Sequence, residues 1–181
     1  LREEEAFFWV CDYVIRQTDV GPDLELLGDC VSAIGHTVLL LEPWYAPQPL
    51  KRAYCIKEVY HTQVSGATFD MVMSTEQQQA FEKALVTFGG GDGTFLSIEA
   101  VLSRVDVRQA DCRNAKDKAD ILDELKKGVG FDKCNALVVG LLREALVAQG
   151  RAALGRLPAA ERKGSDLLIN MGVLLRVMDK P

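Results

Sequence analysis

The chain has little of what a nucleic-acid or membrane protein needs. Its 181 residues hold 21 Lys and Arg against 26 Asp and Glu, a net charge of −5, with no basic stripe. That balance leaves no electrostatic footprint for nucleic acid or for an anionic membrane surface. No apolar run approaches the roughly 20 residues of a membrane-spanning helix, and no signal-peptide pattern opens the chain. Histidine is scarce: His36 and His61 stand alone, neither with a second ligand at metal spacing, so no metal is expected. Five cysteines (Cys11, Cys30, Cys55, Cys112, Cys134) are an odd number without metal-like pairing. Each lies in an apolar context, which reads as buried thiols in a reducing, cytoplasmic compartment. Neither a Gly-x-Ser-x-Gly elbow nor a Gly-x-Gly-x-x-Gly fingerprint occurs.

What is present is ordinary globular material, 48% hydrophobic and 26% charged, enough for one core with an appendage. The run "FFWVCDYVI" at 7–15 predicts a strand buried on both faces. After the polar loop 16–23, Pro22 and Asp23 suit a helix start. Leu24, Leu27, Val31 and Ile34 follow at helical spacing, and Gly35 is placed to end that helix. "TVLLLE" at 37–42 predicts a second buried strand, residues 50–63 a helix, and "ATFDMVMS" at 67–74 a third strand. Ser74 and Gln77 form a candidate capping box for the next helix. "VDVRQADC" at 105–112 is a candidate fourth strand, 114–127 a helix stopped by Gly128, and 133–154 a long amphipathic helix. Strands alternating with helices predict an α/β domain with a mainly parallel sheet. We expect it to span 1–156, followed by a polar linker at 157–166 and a helical segment at 167–181.

Several stretches resemble a TIR (Toll/interleukin-receptor) domain. "FFWVCDYV", the loop "RQTDVGPD", the helix "LELLGDCVSAI" and the strand "TVLLLEPWY" match that family's order of elements. They lead to "YCIKEV", Tyr54 to Val59, which resembles the family's Trp-Cys-x-x-Glu-Leu phrase with Tyr54 for Trp and Val59 for Leu. The chain is also similar to algal and protist proteins in which a TIR-like domain precedes kinesin-light-chain-like tetratricopeptide repeats. "RVDVRQADC", "DKADIL" and the end "LLINMGVLLR" carry that likeness. Leu168, Met171, Gly172 and Leu175 resemble the first helix of such a repeat, with a small residue allowing close packing; a C-terminal docking helix is the alternative. The resemblance implies a flavodoxin-like parallel sheet flanked by helices. It also implies a strand and helix before "FFWV" that this sequence does not contain.

For function, the resemblance implies a signalling or scaffold module acting through protein partners, with a homo-oligomer possible. It also implies an alternative, NAD cleavage with Glu58 as the catalytic carboxylate and Asp19, Trp44 and Tyr45 contacting the nucleotide. A carboxylate there would stabilise an oxocarbenium-like state; a Glu on an amphipathic helix is, however, usually a solvated charge, and the polar face it shares with Lys57 and His61 is sufficient to explain it. Asp12 and Asp70, within apolar strands, read as capping or hydrogen-bonding residues. A further alternative rests on "GGDGT" at 90–94, which resembles the signature of NAD kinases and diacylglycerol kinases. Glycine-rich loops expose backbone N–H groups to phosphate. Yet Phe81, Ala84, Leu85 and Phe88 lead into it at helical spacing, which favours a hinge between two helices.

Overall fold

The computed structural model describes Val10, residues 21–87 and residues 105–178. The expected strand at 7–15 (Val10 apart), Asp12, Asp19, Cys11 and the glycine-rich loop at 89–94 lie outside the described residues. The rest is mostly helical. In order come α1 (Gly21–Glu25), α2 (Leu27–Ile34), β1 (His36–Leu40), α3 (Ala53–Ser65), β2 (Thr68–Val72) and α4 (Thr75–Thr87). Then follow α5 (Ala115–Gly128), α6 (Phe131–Arg156), α7 (Ala159–Arg162) and α8 (Asp166–Met178).

The element order to β2 follows the sequence pattern. Leu24, Leu27 and Val31 are buried together. Gly35 ends α2 at φ 72°, its N–H bonded to the Val31 carbonyl, a left-handed position that disfavours any side chain. β1 and β2 pair in parallel, His36 opposite Thr68 and Leu40 opposite Val72, with α3 as the crossover. The structure thus shows α/β character in a two-stranded parallel sheet.

Several expectations are corrected. The strand expected at 37–42 is not buried on both faces. Leu39 and Met71 point into the core, whereas Val38, Leu40 and Val72 are 50%, 46% and 40% exposed. The described helices α2, α3 and α6 pack against the Leu39–Met71 side. Residues 105–112 do not form a strand but a single 3-10 turn, Val107–Gln109. Asp106 accepts from the Arg108 N–H and Asn135 Oδ1 accepts from the Val107 N–H, so side chains take the donors a neighbouring strand would use. One isolated parallel bridge, Arg52 to Asp111, remains of the expected pairing. α5 ends at Gly128, as expected, and the left-handed turn that follows is at Gly130, φ 82°. Gly128, the last residue of the helix, also lies against the Tyr60 hydroxyl, where a Cβ would collide. The capping box is half formed: the Ser74 hydroxyl accepts from the Gln77 N–H, but Gln77 Oε1 accepts from the Trp44 N–H at 2.9 Å. That bond ties the loop after β1 to the start of α4.

The C-terminal half closes the same core. α8 packs on α4 and α6, burying Leu167, Met171 and Leu174. Asn170, itself buried, donates to the carbonyls of Leu85 and Val86, satisfying acceptors that the last turn of α4 leaves open. Arg156 of α6 pairs with Glu82 of α4. The small residue that permits close packing is Gly150 of α6, where a Cβ would overlap the Met171 sulfur and sit 3.4 Å from Leu85 Cδ1. At Gly172, the position the repeat resemblance singles out, a Cβ would meet nothing within 4 Å. No helix among the described residues is long and apolar enough to cross a membrane.

Two outcomes follow from this packing. Gly150→Val wedges α6 from α8 and should lower stability by about 1–3 kcal/mol in urea unfolding, whereas Gly172→Ala, exposed in mid-helix with open space for a Cβ, should raise it by roughly 0.5–1 kcal/mol. Burial pushes the Cys134 thiol up to about 11 from an ordinary 9.0. The folded state therefore holds that proton more tightly than the unfolded one. This contribution is complete below about pH 9 and is lost as pH rises towards 11. Unfolding measured between those values should show a shallower alkaline loss for Cys134→Ala than for the wild type.

Candidate functional site

The phrase Tyr54–Val59 begins α3, the helix that follows β1 and its loop. Apolar residues on two sides of α3 are buried: Ala53, Ile56, Val59 and Tyr60. An amphipathic surface helix would leave the remaining side wet. Here α5 packs against it instead, so the polar residues of that side must be satisfied inside the protein.

They are satisfied one turn at a time. The Tyr54 hydroxyl donates to Asp117 Oδ2 at 2.6 Å, and Asp117 is buried. Burial, then the bond to Asp117, then the neighbouring Cys112 thiol push the Tyr54 pKa well above its usual value, so it remains a donor. One turn on, Lys57 is 5% exposed. Its Nζ donates to the Leu24 carbonyl at 2.9 Å and pairs with Glu124 Oε2 at 2.8 Å. His61 Nε2 meets the other oxygen, Glu124 Oε1, at 2.7 Å. One carboxylate of α5 thereby bridges two side chains of α3, while Lys57 also reaches back to α1. Glycine is required at position 28 of α2, because a Cβ there would come within 2.6 Å of His61 Nδ1. Thr62 Oγ1 donates to the Glu58 carbonyl at 2.7 Å, so the 2.8 Å contact with Thr37 has Thr37 as donor. This links α3 to β1.

The residues singled out in the sequence fall in different places. Glu58 is half-buried on α3 and engaged with a neighbouring group. Trp44 is buried, its ring edge-on to Phe81 at 5.1 Å and to Tyr45 at 5.8 Å. Tyr45 is exposed. Trp44 therefore anchors the loop after β1 to α4. Lys57 and His61, expected as a solvated polar face, are gathered under α5. Cys30 and Cys112 are half-buried free thiols and Cys134 a fully buried one. Asp70 meets its expectation as a hydrogen-bonding residue, with His36 Nε2 2.8 Å from its Oδ2 across the two strands. Sequence reasoning missed Glu124 and Asp117. Their signal is faint: they fall at 117 and 124, one heptad apart, flanking the buried Ile121 on the α5 face that meets α3.

Chemically this is a polar seam that positions three helices. Among the described residues no three His, Cys, Asp or Glu side chains are gathered to hold a metal ion. Glu124→Gln leaves the buried ammonium with a weaker partner and should cost roughly 1–3 kcal/mol in denaturant unfolding. Lys57→Met together with Glu124→Gln should recover part of that loss, since no buried charge is then left over. Comparison with known proteins adds no relative: no protein-family model, no curated protein and no solved structure matches this chain.

Proposed function

We propose that this chain is a TIR-like protein-association module, its β1 and β2 being neighbouring strands of a flavodoxin-like sheet. One observation carries the reading. Parallel sheets are ordinarily covered on both faces, yet this one shows Val38, Leu40 and Val72 to solvent. The other groups on that face are Thr68 and the His36–Asp70 pair, which satisfy each other. An apolar strip whose charges are already matched suits an equally uncharged partner surface. In a chain of net charge −5, the outer sheet face of a second copy meets that condition. Signalling through such homotypic contacts in the cytoplasm is the role the TIR resemblance adds. The helices behind the sheet, locked by the Tyr54–Asp117 and Lys57–Glu124–His61 contacts, supply a rigid backing.

Sedimentation equilibrium over a dilution series tests it. The wild type should show a mass above the 19.9 kDa of one chain, and Val38→Asp with Leu40→Asp should return it to one chain with an unchanged circular dichroism spectrum. A wild type that is monomeric at every concentration overturns the reading. Nicotinamide released from NAD by the wild type and not by Glu58→Ala would replace it with the hydrolase.

A further inference from the structure

The charge on the outer face of the sheet is set by a single proton. Alternate residues of each strand face outward: His36, Val38 and Leu40 from β1, and Thr68, Asp70 and Val72 from β2. The register puts His36 beside Thr68, Asp70 beside Val38 and Leu40 beside Val72, so Asp70 borders the apolar strip directly. His36 Nε2 lies 2.8 Å from Asp70 Oδ2, with the two side chains 50% and 58% exposed. Neither member of the pair has another hydrogen-bonding or ionic partner among the described residues. The remaining outward residues of the two strands do not titrate. The helices packed on the sheet, α2, α3 and α6, stand on the Leu39–Met71 side, where Lys57 and His61 of α3 are engaged with Glu124.

With a charged imidazole, His36 and Asp70 cancel and the face is neutral. With a neutral imidazole, Nε2–H can still donate to the carboxylate, but the face keeps one negative charge. In a single chain both groups are wet, and water screens most of that difference. A second copy laid over the same face removes the water from the pair. A carboxylate without a counter-charge is then costly to cover, and in an isologous contact each copy brings the same negative charge to its partner.

We propose that homotypic contact through the outer sheet face is gated by protonation of His36, each copy taking up a proton there as the contact forms. This regulation rests on the association reading and names what switches it. A group that holds its proton more tightly in the associated state strengthens association as pH falls through the histidine range and weakens it as pH rises. The apolar strip of Val38, Leu40 and Val72 supplies the attraction at every pH, and His36 decides whether Asp70 opposes it.

Sedimentation equilibrium of the full chain at constant ionic strength, at about pH 8 and about pH 6, tests the gate. The wild type should reach its dimer midpoint at a concentration roughly tenfold or more lower at the acid value. Acidification also reduces the net charge of −5, which favours any self-contact, so two variants isolate the pair. His36→Gln can donate to Asp70 but cannot be charged, and should keep the weak alkaline midpoint at both values. Asp70→Asn removes the charge that needs matching, and should associate at the alkaline value at least as tightly as the wild type while losing the acid gain. A wild-type midpoint that does not move with pH, or a shift that persists unchanged in His36→Gln, overturns the gate and leaves the association reading standing. A wild type that is monomeric at every concentration and at both pH values overturns the association reading and the gate with it.

Discussion

The fold depends on a buried ammonium. Lys57 is carried into a helix interface by the packing of its neighbours Ile56 and Val59, and a lone charge there would be strongly destabilising. Glu124 and the Leu24 carbonyl meet it, and Glu124 simultaneously holds His61. Because these partners come from α5 and α1, satisfying one charge fixes the relative placement of three helices. Buried ionic groups are a modest source of net stability, yet they discriminate strongly against misaligned packings, in which the charge would be left alone. The Tyr54–Asp117 bond repeats the arrangement near the start of the same seam.

With α3 enclosed in this way, the sheet inherits a one-sided environment. Helices gather behind Leu39 and Met71, and the opposite pleat keeps its aliphatic residues without a layer over them among the described residues. The same enclosure links Glu58 to structure, since its carbonyl accepts from Thr62, which in turn receives the Thr37 hydroxyl of β1. A helix so heavily committed to intramolecular contacts makes a firm platform.

Local pattern made much of the fold legible. The 3–4 spacing of Leu24, Leu27 and Val31, the stop at Gly35 and the short runs around Leu39 and Met71 each report a local preference that tertiary packing did not reverse. The misreadings share one cause. Residues 105–112 have strand-like letters, but Asp106 and Asn135 take up the backbone donors of the turn instead. Gly172 looks like the close-packing glycine, but Gly150 has that place because Met171 rests on it. In each case a partner distant in sequence decided the outcome.

Sequence by itself determined the element types and their alternation from α2 to α4, and the phrase on α3 in which Tyr54, Lys57, Glu58 and His61 recur at helical spacing. Only the tertiary structure decided that most of this polar group is sealed rather than solvated, and that Glu124 and Asp117 complete it. It also decided that, among the described residues, helices cover the Leu39–Met71 face of the sheet and none covers the other. Periodicity reports which face of a helix or strand is apolar, because that is a property of neighbours along the chain. Which face is covered, and which charge meets which, depends on elements brought together from 63 residues away.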